Sequence, residues 1–238
     1  MINILGVSAI NAWEEIMNGF DFTRLVDLLM SVIPALICIT LHELSHGVVA
    51  CLLGDDTAKR AGRLTLNPIK HLDPMGLAMM AMFHVGWAKP VPINMYRFKN
   101  PKRGMALTAL AGPVSNFVIA VVFLFLYGCL YLPLQGSGAG WYVEEMLRLT
   151  AVISIGLGVF NLIPLPPLDG SKVLFSVLSD EGYYKLMRYE RYGSIIMFAL
   201  VSLGVLGGPL SAAIRAVTGA LTPVAQLGMN LVMRLFYS

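Results

Sequence analysis

Apolar positions in this chain gather into runs close to the roughly 20 residues that an α-helix needs to cross the hydrocarbon of a bilayer. The first convincing run extends from about Val26 to Leu53, with Asp27 at its edge and Gly54-Asp55-Asp56 as its stop. Met105 to about Leu132 is a second clean span, and another begins near Met146 and ends at Asn161. There Pro164, Pro166 and Pro167 deny a continuing helix both its N–H donors and its room. A further span is expected over Ser194–Val217, weakened by Gly207-Gly208-Pro209, and the last run, Leu221–Phe236, is apolar enough to span or to lie flat. Between the first two spans, Asp73–Asn94 is apolar but broken by Pro74, Gly76, His84, Gly86, Pro90 and Pro92. It reads as a re-entrant or sheet-like element, because open backbone at membrane depth survives only where protein covers it or it lines a cavity. Residues 1–20 carry no basic residue ahead of their apolar positions and are interrupted by Glu14 and Glu15, so they read as a short interfacial or re-entrant segment rather than a cleavable signal.

Composition agrees with this pattern. Of the 238 residues, 57% are hydrophobic and 13% charged, and the mean hydropathy is +0.72; a water-soluble domain averages about 45–50% and 25%. The expected fold is therefore an all-α polytopic membrane protein with about 4–6 transmembrane helices. Residues 1–238 form a single membrane-embedded domain, with a catalytic core over about 26–175 and C-terminal helices over about 193–236. The net charge of +3 is small, and nothing in its distribution suggests nucleic acid. Cys38, Cys51 and Cys129 are an odd set inside apolar runs and read as small hydrophobes rather than a disulfide framework.

Charge placement sets the orientation. Of 17 basic residues, nine lie between Lys59 and Arg103 and four between Lys172 and Arg191, so both regions are expected to face the cytoplasm. The connection from Leu134 to Trp141 has no basic residue, and Glu144 and Glu145 follow it, which fits the opposite side.

Chemistry enters at His42-Glu43-Leu44-Ser45-His46, inside the first span. Histidines four apart on a helix project from one face, separated by about 6 Å of rise, and can bind one tetrahedral zinc. Glu43, one step round, can take a proton from water at the metal, the division of labour of H-E-x-x-H. Three ionisable groups in five residues of a membrane span need a strong local reason; the plainer alternative is a hydrogen-bonded polar cluster between helices. With the helix ending near Leu53, the motif lies about 13 Å inside, so hydrolysis there requires a polar channel, most simply from the cytoplasmic face. Pro34 is expected to kink this helix or to be an ordinary tolerated membrane proline.

Two histidines leave zinc short of a third protein ligand. Cys38 is too far along a straight helix, and His71, among basic residues, reads as a surface or hydrogen-bonding group. His84 is a candidate substrate-cavity residue without a rank as ligand. Asp169 ranks first, because unwound backbone after the Asn161–Leu168 proline break can carry its carboxylate to a buried metal and leave the fourth position for water.

These motifs resemble the site-2 protease family of intramembrane zinc metalloproteases, peptidase M50, over about Leu41–Leu174. His42-Glu43-Leu44-Ser45-His46 corresponds to that family's zinc-binding helix, and Asn161–Gly170 to its second signature. The runs Gly62–Pro68, Ala88–Asn94 and Ala111–Asn116 also resemble its small members. The resemblance implies one Zn2+ held by His42, His46 and Asp169, with Glu43 as general base. It also implies that Asn161 binds the scissile carbonyl or its oxyanion, and that Gly112 and Asn116 pack against the zinc helix and hydrogen-bond into the site. No soluble stretch has room for an inserted PDZ domain or a CBS pair, so the chain resembles the compact branch.

The function expected on this basis is zinc-dependent endopeptidase cleavage of peptide bonds in transmembrane segments, by a multi-pass cell-membrane protein whose site opens to the cytoplasm. The lipid bilayer and transmembrane-segment proteins are its expected partners. A substrate helix would approach laterally, unwind, and add a strand beside Asp73–Asn94. The competing class is a non-proteolytic membrane metal-binding protein or small-solute transporter; Glu43 weighs against it, since a structural site has no need of an adjacent base.

Overall fold

A computed structural model describes residues 22–83, 86–179, 181–183 and 192–237. The expected segment 1–20 and His84 lie outside these residues. Helix α1 (Phe22–Leu52) runs unbroken through Pro34 and contains the whole His42–His46 motif. It stops where the apolar run does, with Gly54 in the left-handed region at φ +106°. Asp55 then ties the exit down: its Oδ1 accepts the Thr57 amide at 3.1 Å, and its Oδ2 accepts the Asn94 amide at 2.6 Å. A short helix α2 (Thr57–Arg60) and a 3-10 turn (Pro68–His71) follow.

The broken stretch 73–94 is half helix and half extended. Helix α3 (Pro74–Phe83) starts with Pro74 in its first turn, while Asp73 Oδ1 accepts the amides of Met75 and Gly76 at 2.9 and 3.0 Å. Residues 86–94 return as extended chain, paired through one antiparallel bridge, Leu72 with Ala88. A Cβ on Gly76 would lie 2.1 Å from the Trp87 carbonyl oxygen, so only glycine lets the two halves touch there. Among the described residues no strand forms; prolines at 90 and 92 remove the donors that a ladder needs.

Helix α4 (Pro101–Leu134) is the central post. Pro101 sits in its first turn and the Asn100 side chain accepts the Arg103 amide. It packs against α1, against α5 (Gly138–Asn161), α6 (Asp169–Ser176) and α8 (Gly207–Phe236). Ala120 and Leu124 of α4 meet Ala151 and Ile155 of α5, with Ile214, Val217 and Leu221 of α8 closing over them. Helix α8 approaches α4 through small residues: a Cβ on Gly128 would lie 1.9 Å from Ala225 O, and one on Gly228 2.4 Å from Phe125 O. Close approach through glycines is how helices associate in lipid, where apolar area alone supplies no net drive.

The chain is an all-α membrane protein. Among the described residues three helices are long and apolar enough to cross a membrane: Leu29–Leu52, Pro101–Leu134 and Gly207–Phe236. Helix α5 has 24 residues but carries Glu144, Glu145 and Arg148 in its first half. One boundary differs from the sequence reading. The chain does not weaken at Gly207-Gly208-Pro209; it turns at 203–206, after a short helix α7 (Gly193–Ser202), with Gly204 at φ +70°. Gly207 and Pro209 instead open α8, in the first turn, where a missing N–H costs no intrahelical bond. Leu221–Phe236 is the second half of that same 30-residue helix rather than a separate element.

Candidate metal centre

The i, i+4 spacing on α1 brings His42 and His46 to one face, their Nε2 atoms 3.1 Å apart. The loop after Asn161 folds back and starts α6 at Asp169. A Cβ on Gly170 would lie 2.2 Å from Leu162 O, so this return depends on glycine. Asp169 Oδ2 then lies 3.2 Å from His42 Nε2 and 3.2 Å from His46 Nε2. All three side chains are largely enclosed.

The outer nitrogen of each ring decides what this triangle can hold. His42 Nδ1 is 2.6 Å from Asn116 Oδ1, and His46 Nδ1 is 2.7 Å from the Thr108 carbonyl oxygen. Both oxygens can only accept, so both Nδ1 atoms carry the proton and donate. In the neutral imidazole this leaves each Nε2 with a lone pair directed inward, beside a carboxylate. In that form three acceptors meet, an arrangement suited to a cation between them. Ligand atoms at about 2.0–2.1 Å from a tetrahedral zinc lie about 3.3 Å from one another, close to the edges of this triangle. The group fits zinc; among the described residues it is the one His/Cys/Asp/Glu cluster with metal-ligand spacing.

Helix α4 forms the wall behind the histidines. Its buried residues Thr108, Gly112 and Asn116 recur every four positions, a small and polar stripe against the histidines of α1. Gly112 is the closest approach: a Cβ there would lie 2.5 Å from His42 Cε1, His46 Cε1 and His46 Nε2. Asn116 is steadied from α5, donating from Nδ2 to Ser154 Oγ at 3.2 Å, while the Ser154 hydroxyl donates to Asn116 O at 2.8 Å. The amide is thus oriented so that its oxygen faces His42.

Glu43 lies beside the triangle, half-buried, with Oε2 accepting the Val91 amide at 3.0 Å. Asn161 stands at the end of α5, and its Nδ2 donates to Leu157 O at 3.0 Å, within its own helix. Among the described residues it makes no hydrogen bond to the histidines or Asp169. His71 is fully buried rather than on the surface, its Nε2 bonded to Thr65 O at 2.9 Å. Cys38 donates to Thr150 O at 3.4 Å, toward α5 and away from the triangle.

Sequence reasoning missed Thr108, Ser154 and Val91. The four-residue spacing of Thr108, Gly112 and Asn116 marks a shared helix face, but not the Thr108 contribution, which is a backbone carbonyl. The Val91 contribution is a backbone N–H, which no side-chain pattern announces.

The profile of Peptidase family M50 matches residues 128–205, a stretch that includes the proline break and Asp169. "Putative zinc metalloprotease YwhC" of Bacillus subtilis is 40% identical over 175 residues, covering 71% of this chain and 78% of that protein. A Rip2 protein of Mycobacterium tuberculosis with the same descriptive name is 29% identical over 180 residues, 73% of this chain and 66% of its own length. "Zinc metalloprotease MJ0392" of Methanocaldococcus jannaschii is 27% identical over 213 residues, 87% of this chain but 50% of that one. No solved structure is a significant match. With 40% of 175 aligned residues identical across 78% of a relative's length, the chain belongs to peptidase family M50, the site-2 protease family.

Proposed function

We propose that this zinc metalloprotease cleaves peptide bonds within the membrane, with His42, His46 and Asp169 holding one zinc ion and Glu43 as general base. The observation that carries the reading is the convergence of the His42 and His46 Nε2 atoms and an Asp169 carboxylate oxygen within 3.2 Å of one another, with Glu43 next to His42 on the same helix.

Zinc bound there supplies a Lewis acid that polarises the scissile carbonyl and lowers the pKa of water. Glu43 takes the proton from the attacking water and returns it to the leaving amine. One of its oxygens is engaged by the Val91 N–H, which leaves Oε1 to handle the proton. Asn161 has a second amide N–H beyond the one given to Leu157 O, and this donor suits a carbonyl oxygen gaining negative charge.

The substrate's approach follows from the surroundings. The motif's centre, Leu44, sits eight residues before the end of α1, or about 12 Å along the helix, within a candidate span. A substrate at that depth is most simply itself a transmembrane segment, unwound before cleavage. The extended stretch 86–94 offers it backbone, but Pro90 and Pro92 offer no donors. A strand laid there would be held mainly through its own N–H groups. The basic residues between Lys59 and Arg103 cluster at the end where α1 leaves and α4 begins, whereas Glu144 and Glu145 lie beyond the α4–α5 turn, which supports a site opening to the cytoplasm.

The test compares purified, zinc-loaded protein with its Glu43→Gln variant, both reconstituted with a single-span substrate. Cleavage by the variant should fall by at least about 10²–10⁴-fold, with zinc still bound at one ion per chain. Equal cleavage by both proteins would remove Glu43 from the chemistry, and no cleavage by either across several substrates with zinc bound would leave a non-proteolytic metal-binding role.

A further inference from the structure

Arg63 has no place in the chemistry above, yet its setting is unusual for a cation. It is 8% exposed and makes no ion pair among the described residues. Its Nη2 donates to Lys89 O at 2.7 Å and its Nη1 to Pro90 O at 3.2 Å, two consecutive carbonyls. Its Nε is buried without a partner. A guanidinium taken out of water without a counter-ion is costly, so this position needs a compensating role.

The next residue along supplies one. Val91 N–H donates to Glu43 Oε2. Because residues 90 and 92 are prolines, Val91 has the one N–H in the stretch 90–92, and the flanking rings restrict the backbone on both sides of it. The stretch is fastened further out as well, by Lys89 N–H to His71 O at 2.9 Å and Asn94 N–H to Asp55 Oδ2 at 2.6 Å. Arg63 is the fastening nearest to Val91, and its planar fork matches two adjacent carbonyls as a single ammonium does not.

We propose that Arg63 is a positioning residue for the reaction: by fixing the carbonyls of Lys89 and Pro90 it presents the Val91 N–H to Glu43 and holds that carboxylate beside the metal triangle. The role rests on Glu43 acting as the base. Loss of the clamp lets Glu43 turn, without touching His42, His46 or Asp169.

The test uses the full zinc-loaded chain and three variants, Arg63→Gln, Arg63→Lys and Glu43→Ala. Two measurements are made: steady-state cleavage of a single-span substrate, and hydrogen exchange resolved to the Val91 amide. Arg63→Gln should keep zinc at one ion per chain and KM within about twofold, while kcat falls about 10–100-fold, the scale of a misplaced catalytic group. Arg63→Lys, restoring one of the two bonds, should recover part of kcat. Exchange decides the geometry without reference to activity. The Val91 amide should be protected in the unsubstituted chain and exposed in both Arg63→Gln and Glu43→Ala. Lys89 should lose protection only in the Arg63 variant, and residues 41–50 in neither. The proposal is overturned by an unprotected Val91 amide, by unchanged kcat in Arg63→Gln, or by zinc, KM and α1 protection failing together, which marks a merely structural arginine. Should the unsubstituted chain cleave nothing, the protease reading fails by itself, and an unprotected Val91 remains a separate result against the clamp.

Discussion

Gly112→Ala should remove zinc binding and proteolysis together, although the substitution adds one methyl group to a helix that contributes no metal ligand. The added carbon would lie 2.5 Å from both imidazoles, inside any van der Waals contact. The rings cannot step aside cheaply. His42 is held through Nδ1 by Asn116, which Ser154 holds in turn, and His46 is held by the Thr108 carbonyl. Nor can α4 retreat, because the same helix packs against α1, α5, α6 and α8. The methyl group therefore spreads the histidines or turns them off the common centre. Losing one outer-shell partner of a metal ligand typically costs 10–100-fold in affinity; disturbing both rings should cost at least that. Zinc content of the purified protein by mass spectrometry checks it, with Gly219→Ala as control, since a Cβ there meets nothing within 4 Å. Full zinc content in Gly112→Ala would mean that the two helices do not meet as described.

Asp169→Asn should have a comparable effect for an electrostatic reason. The substitution keeps the shape of the side chain and removes the one formal negative charge among the three groups. Two neutral imidazoles and an amide are a much weaker set for a divalent cation in an enclosed site, where little water compensates. Affinity should fall by more than the 10–100-fold of an outer-shell loss, read by competition with a chromogenic chelator. The fold should survive, because the loop before α6 is held by backbone bonds, Leu168 N–H to Leu165 O and Ser171 N–H to Leu168 O, that do not involve the carboxylate. Unchanged affinity would remove Asp169 from the metal set.

The parts of this site that sequence reveals are those written in side chains at helical spacing. His42 and His46 lie about one turn apart on α1, so their shared face, with Glu43 one step round, follows from 3.6 residues per turn. Asp169 lies 123 positions beyond His46, and what flagged it was backbone chemistry: prolines that end α5 and a glycine that lets the chain fold back. Gly112 and Asn116 were legible through family resemblance. Asn161 was read by the same route, and its amide gives one N–H to Leu157 O and keeps a second. Thr108 acts through a carbonyl oxygen, which every residue carries, and Val91 through an N–H, which every residue but proline carries, so neither contribution stands out in a sequence. Gly207-Gly208-Pro209 looked like a break because glycine and proline weaken a helix interior, but a first turn tolerates both, and the chain had already turned at Gly204.

Mapping the bond that is cut tests most directly whether cleavage lies inside the membrane. The zinc-loaded protein is reconstituted in vesicles with a single-span substrate, and the product termini are read by mass spectrometry. The expected result is a cut within the apolar segment, lost with Glu43→Gln and with zinc chelation. Cuts confined to the soluble flanks of the substrate, with the apolar segment intact, would contradict it.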